Sequence, residues 1–390
     1  MFKSYQVGKI YGIPFKLDIT FLLILPFFVY IIGVQIEQVV PLLNDLVGTT
    51  IDPEPLTTGY WPWIIGFVAA VALFACVTLH ELGHSVAALH YGIEVESITL
   101  WLLGGIAKPA EMPRNWVQEF WIAIAGPLVN ILILGVCGVA FLFNPASDVL
   151  MFLIVYLALL NVVLVVFNMM PAFPLDGGRV LRALLARNQP YVRATRQAAS
   201  IGKGFAFLMG LFGLFTFNFF LMAIALFVYI AATSETRQMM LDAAFEGVQI
   251  GEVMTPEHKL TTVEVDVPLS DMLEIMMDDR HIGYPVLDNG RFVGLITLDD
   301  IQSSELTDGV VAGAMTPVDE LETVTPQTEV VDAFRTLSSN KVGRLPVVNE
   351  DGQLIGIITR TDLMRAFRIV MERKRFERQE VGTSARTRMQ

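Results

Sequence analysis

His80 and His84 stand four residues apart with Glu81 between them, in the stretch VALFACVTLHELGHSVAALH at 71–90. On an α-helix that spacing is about 400° of rotation and about 6 Å of rise, so both imidazoles leave one face a turn apart. Two imidazoles so placed can share a zinc ion at about 2.0–2.1 Å from each nitrogen, and the glutamate can take a proton from an attacking water. His90 is rotated by about 240° from His84 and falls off that face, as an interfacial residue would. The plainer alternative is a pair of histidines satisfied by neighbouring backbone or carboxylates. It is disfavoured because the rest of the run is apolar, and an ionisable group at membrane depth costs roughly 2.5–3.5 kcal/mol on insertion scales.

A catalytic zinc takes three protein ligands and leaves one position open. The chain has five histidines, and His258 and His281 lie in its polar C-terminal part, which points to a carboxylate as the third ligand. Asp176, in NMMPAFPLDGGRVLRALLA at 168–186, is the candidate. Pro171 and Pro174 interrupt the helical run before it, Gly177 and Gly178 follow it, and broken helices at membrane depth are tolerated where they line a cavity. The competing role for Asp176 is that of N-cap to a helix starting near Gly177.

The elements that carry these groups are expected to be membrane helices. The 390 residues are 54% hydrophobic and 17% charged, against about 25% charged in soluble domains. Apolar windows fall at 17–39, 61–89, 120–143, 149–167, 205–217 and 218–232. The fifth is short beside the roughly 20 residues a bilayer needs. About six spans are predicted, and no long apolar window follows 232. Lys3, Lys9 and Lys16 precede the first window, Lys108 and Arg114 lie between the second and third, and Arg179, Arg182, Arg187, Arg193, Arg196 and Lys203 between the fourth and fifth. The alternate loops 48–60 and 144–148 carry no Lys or Arg, so both termini are expected in the cytoplasm of a multi-pass cell-membrane protein. The start lacks a small-residue cleavage site, so no cleavable signal is expected.

A net charge of −12 argues against a nucleic-acid partner, which wants a basic stripe. The basic tail 368–390 reads as a solvated, partly helical end. Cys76 and Cys137 both lie in apolar windows and are expected as free thiols.

HELGH in one span, followed by NMMPAFPLDGG after another, resembles the site-2 protease family of intramembrane zinc metalloproteases, over roughly 5–233. The resemblance implies that His80, His84 and Asp176 ligate one zinc ion, that Glu81 is the general base, and that Asn168 serves the substrate or the oxyanion. It implies a transmembrane protein substrate within the lipid bilayer. ITLWLLGGIAKP at 98–109 resembles the family's re-entrant hairpin, with Gly104 and Gly105 at the substrate, and AGPLVN at 125–130 its third-span signature. An unwound substrate segment could join the hairpin as an added strand; the alternative is a packing element that plugs the bundle.

The C-terminal part repeats at 61–62 residues. Met254-Thr255-Pro256 matches Met315-Thr316-Pro317, Pro285 matches Pro346, and Gly294, Thr297 and Asp300 match Gly356, Thr359 and Asp362. Each copy reads as strand, helix, strand, turn, strand, helix. The pair resembles tandem CBS domains over 251–367, in copies 251–306 and 312–367, joined by a linker 236–250 to the membrane domain 1–235. That resemblance implies a pseudo-dimer, an adenine nucleotide (AMP, ADP or ATP) bound by Thr297, Asp300, Thr359 and Asp362, and room for a homodimer through the CBS pair. Helix capping explains the same four residues equally well.

The expected fold is therefore an α-helical polytopic membrane domain of about six spans followed by a cytoplasmic α/β tandem CBS pair. A CBS-bearing transporter would show related membrane halves, and the sequence shows none. A catalytically silent zinc scaffold is disfavoured by Glu81, a base that ligation alone does not need.

Overall fold

Two antiparallel strands, β1 (Ser4–Ile10) and β2 (Ile13–Asp18), precede the first helix, joined by a turn in which Tyr11 and Gly12 both take positive φ. Sequence reading treated this stretch only as a basic lead-in. Asp18 closes β2 and caps α1 (Ile19–Val47), its Oδ1 accepting from the Thr20 amide at 2.9 Å. That cap starts the helix two residues after the expected 17, and the helix outruns the apolar window that ended at 39.

The computed structural model describes residues 4–101, 104–109, 113, 115–143, 145–245, 247–304, 309–340, 342–369 and 372. Lys3, Arg114 and most of the expected basic tail lie outside the described residues. The chain divides into two units, Met1–Arg237 and Gln238–Gln390.

In the first unit α1 is followed by the short α2 (Glu54–Thr57), α3 (Trp61–His90), the strands β3 (Val95–Trp101) and β4 (Gly104–Pro109), α4 (Trp116–Leu142), α5 (Asp148–Asn168), α6 (Asp176–Ala186) and α7 (Tyr191–Phe215), and α8 (Phe219–Phe245) runs from it past the boundary at Arg237. Asn115 and Ser147 cap α4 and α5, accepting from the Gln118 and Leu150 amides. The helices α1, α3, α4, α5, α7 and α8 are each long and apolar enough to cross a membrane. The fifth of them corrects the window at 205–217: α7 begins at Tyr191 and has 25 residues. Arg193, Arg196 and Lys203 lower the hydropathy of its first half without ending the helix. Ile36, Val40, Ile65, Ala69, Ala70 and Phe152 bury α1, α3 and α5 against one another. Leu23, Leu132 and Val136 point outward, as lipid-facing residues do.

The strands order as β1-β2-β3-β4, with β2 and β3 parallel and β3 and β4 antiparallel, so β4 is an edge. The hairpin expected at 98–109 is thus half of a larger sheet, and its turn residues Leu102 and Leu103 lie outside the described residues.

In the second unit the order is α9 (Ile250–Val253), β5 (Thr255–Pro256), β6 (Val263–Glu264), α10 (Leu269–Asp279), β7 (Gly283–Asp288), β8 (Arg291–Thr297), α11 (Leu298–Ser303), α12 (Val311–Ala314), β9 (Thr316–Pro317), α13 (Val330–Ser339), β10 (Arg344–Val348) and β11 (Leu354–Thr359). The sheets are β6-β7-β8-β9 and β10-β11-β5. Each repeat therefore lends its opening Thr-Pro strand to the other repeat's sheet, Leu295 facing Thr316 and Ile357 facing Thr255, which ties the two copies into one body. The stretch expected as a linker, 236–250, is helical through Phe245, which packs into the core of Val330, Leu337, Leu345 and Ile358.

Candidate active site

His80 and His84 leave α3 on one face, and both are buried. Their Nε2 atoms lie 3.1 Å apart, and each lies 3.2 Å from Oδ2 of Asp176 on α6. Donors bound tetrahedrally at about 2.0–2.1 Å from zinc stand about 3.3–3.4 Å from one another, so the triangle has nearly the dimensions of one face of that tetrahedron. The tautomers agree with it. Nδ1 of His84 donates to the Ile122 carbonyl at 2.7 Å, which leaves its Nε2 lone pair aimed at the other two donors, an arrangement zinc-ligating histidines use. Nδ1 of His80 is buried without a partner among the described residues. Two imidazoles and a carboxylate suit zinc, and the residues present fit the ion.

Asp176 reaches this point because α5 stops at Asn168, Pro171 and Pro174 keep the next residues out of helix, and α6 begins at Asp176 itself. Leu175 occupies the cap position and makes no side-chain cap bond. The capping role considered for Asp176 is therefore not what its carboxylate does: it points at the imidazoles. A Cβ on Gly178 would lie 2.7 Å from the Ala172 carbonyl carbon, so the first turn of α6 packs on the broken segment with no room for a side chain. Asn168 brings its Nδ2 to 3.5 Å from His80 Nε2, at the edge of hydrogen-bond reach.

Glu81 is half-buried and turns to β4, where its Oε2 accepts from the Ala107 amide at 3.1 Å. Gly104 opens β4 with φ +126°, and a Cβ on Gly105 would overlap the Glu81 side chain. Of the two glycines predicted to face substrate, Gly105 lies against the base, whereas a Cβ on Gly104 would have Val77 as its neighbour, at 4.0 Å. A cavity with about 50 Å³ open to water is lined by Glu81, His84, Ser85, Ala107, Ile122 and Arg179, room for more than one water molecule.

Sequence reading singled out AGPLVN at 125–130 but gave no role to its Gly126 or Asn130, and it gave none beyond topology to Arg182. A Cβ on Gly126 of α4 would overlap His84 Nε2, so this glycine makes the space the imidazoles fill. One turn beyond it, Asn130 is fully buried with neither amide atom partnered among the described residues. Arg182, counted above only as a topology marker, is 1% exposed and pairs with Glu119 of α4 and Glu235 of α8. Its guanidinium also lies 5.1 Å from the centroid of the Phe173 ring. The arginine holds α6 to two neighbouring helices. The only sequence signal for it was charge among apolar residues.

In the second unit Thr297 and Asp300 form a capping box for α11, Oγ1 of Thr297 donating to Oδ2 of Asp300 at 2.7 Å. Thr359 and Asp362 repeat the bond at 2.6 Å. Thr297 and Asp300 also line a cleft of about 610 Å³ together with Thr316, Glu320, Glu322 and Arg344. Burial lowers the pKa of the Arg344 guanidinium, against the opposing pull of the negative charge on Asp300.

The model of Peptidase family M50 matches residues 68–148 and 144–211, and that of the CBS domain matches 250–305 and 311–369. Zinc metalloprotease MJ0392 of Methanocaldococcus jannaschii is 36% identical over 367 residues, 94% of this chain and 97% of that one. The chain belongs to peptidase family M50. This M50 chain is a zinc-dependent metalloprotease, a multi-pass membrane protein with a C-terminal CBS pair. Among solved structures it is similar to the site-2 protease from Methanocaldococcus jannaschii, at 36% identity over 60% of this chain and 95% of that chain, with a TM-score of 0.41. It is also similar to CBSX2 of Arabidopsis thaliana, solved in complex with AMP, at 35% identity over 31% of this chain and 96% of that chain, with a TM-score of 0.29.

Proposed function

We propose that this chain is an intramembrane endopeptidase that hydrolyses peptide bonds within or near transmembrane segments of other proteins, with His80, His84 and Asp176 holding zinc and Glu81 as general base. The observation that carries the reading is the triangle of donor atoms 3.1–3.2 Å apart, drawn from α3 and α6, inside a bundle of helices that can cross a membrane.

His80, His84 and Asp176 would hold the zinc ion, which when bound would supply Lewis-acid polarisation of a carbonyl and a more acidic water. Glu81 takes the proton from the attacking water and delivers it to the leaving amine nitrogen. The Ala107 amide keeps one carboxylate oxygen of Glu81 turned to β4, leaving the other for the water. His84 is held in its ligating tautomer by the Ile122 carbonyl. A transmembrane helix hides its peptide bonds in its own hydrogen bonds, so the substrate must be unwound before attack. The outer edge of β4, where Gly105 adjoins Glu81, offers backbone groups to such a segment as an added strand. In this reading Asn168, whose Nδ2 lies 3.5 Å from His80 Nε2, donates to a carbonyl oxygen of the substrate.

The CBS pair binds an adenine nucleotide in this reading, Thr297 and Asp300 meeting the ribose in their cleft and Thr359 and Asp362 occupying the equivalent positions of the second repeat. Binding regulates cleavage only if the nucleotide prefers one of two arrangements of the pair. Both termini are cytoplasmic by the distribution of Lys and Arg, and the CBS pair supplies the surface for a homodimer.

The test is cleavage of a transmembrane substrate by the purified full chain in detergent, comparing wild type, Glu81→Gln and chelator-treated protein. Cleavage that survives both the substitution and the chelator removes the assignment of this site.

A further inference from the structure

Two arginines leave α6 three residues apart and differ in what they meet. Arg182 is buried between the carboxylates of Glu119 and Glu235. Arg179 is half-buried, lines the cavity that holds Glu81 and His84, and has no hydrogen-bond or ion-pair partner among the described residues. A guanidinium carries five donors in a planar fork matched to a carboxylate, and one left unpaired in a small cavity is a receptor for an anion.

The reaction supplies that anion. Hydrolysis breaks the C–N bond of the substrate, adds the water oxygen to the carbonyl carbon, and sends one water proton to the departing nitrogen; the carboxylic acid so formed gives its remaining proton to the product amine, so the N-terminal product ends in a new carboxylate and the other in an ammonium group. That charge arises in a cavity already containing the Glu81 carboxylate, and like charges so close repel. Resting on the site assignment above, we propose that Arg179 is the carboxylate-binding residue of the catalytic cavity. It receives the carboxylate of the cleaved product, or that of an acidic side chain next to the scissile bond, and positions the segment against Glu81. Arg179 is then a specificity residue, distinct from the zinc ligands and the base.

The test uses the full chain in lipid nanodiscs, with Glu81→Gln as the non-cleaving background and zinc content measured in every variant. The probe is the N-terminal fragment of a transmembrane peptide that wild type cleaves, fluorescently labelled, prepared with a free C-terminal carboxylate, as its C-terminal amide, and as amides with Asp or Asn next to the terminus. The carboxylate form is expected to bind about 10- to 100-fold more tightly than the amide. Arg179→Gln should abolish that difference and Arg179→Lys keep part of it, with zinc content unchanged. A preference of Asp over Asn that Arg179→Gln removes, without a preference for the free terminus, assigns the acidic side chain as the ligand. Equal binding of all four peptides, or an Arg179→Gln loss that is the same for carboxylate and amide or is accompanied by loss of zinc, overturns the proposal. Undiminished cleavage by Glu81→Gln would instead take down the site assignment, and this proposal with it.

Discussion

Gly126 of α4 and His84 of α3 are so close that a Cβ on the glycine would overlap the imidazole Nε2, and it would lie 2.8 Å from that of His80. The absent side chain is what lets two imidazoles turn inward between packed helices. Gly126→Ala favours the helix by about 1 kcal/mol in propensity, so a folded variant is expected. Its zinc content should fall from one per chain toward none, with activity falling in parallel. Metal analysis of the purified variant checks this, and one bound zinc at full activity would rule it out.

Ligation and proton transfer separate by substitution. Asp176→Asn and His80→Ala are expected to lose zinc and activity together. Glu81→Gln should keep its zinc while the cleavage rate falls by about 10²- to 10⁴-fold. Paired metal analysis and initial rates distinguish the two patterns; a Glu81→Gln chain that has lost its zinc would mean that the glutamate supports the ion and is not only the base.

Arg182 makes α6 dependent on charge pairing. Replacing it by Met leaves Glu119, itself buried, without its counter-charge, and breaking a buried pair in this way costs about 3–5 kcal/mol. Arg335→Met removes an exposed pair with Asp332, for which at most about 1 kcal/mol is expected. Thermal unfolding in detergent should show a large loss for the first variant and little for the second; similar midpoints would contradict the structural role of Arg182.

The capping boxes give the CBS pair a matched control. Thr297→Ala and Thr359→Ala each remove a helix cap worth about 1 kcal/mol, so their effects on unfolding of the C-terminal unit should be similar. Only Thr297 also lines the cleft shared with Arg344, so calorimetric titration with AMP should show the larger affinity loss for Thr297→Ala. Equal losses would show that the residues differ in nothing but position.

Much of the site was legible because it is local. The spacing of His80, Glu81 and His84 puts the two ligands on one face of any helix, the prolines at 171 and 174 end α5 whatever surrounds them, and the 61–62-residue repeat shows the CBS pair in the sequence itself. The N-terminal hairpin left a local trace, Ile13, Phe15 and Leu17 alternating with Pro14, Lys16 and Asp18 after the Tyr11-Gly12 turn, but the pairing of β2 with β3, Lys16 opposite Thr99, joins segments too far apart for either to encode the partner. The true start of α7 was hidden by three cations that a hydropathy window averages against their apolar neighbours.

Residue types and helical periodicity determined which groups are available for chemistry, since side-chain direction on a helix follows from backbone geometry alone. The packing of α3, α4 and α6 decided that Asp176 meets both imidazoles, that Gly126 stands where no side chain fits, and that Arg182 is buried in an ion cluster while Arg179 opens to the cavity. Those relations join residues far apart in the chain. Their distances depend on how whole helices interlock, which no short stretch of sequence encodes.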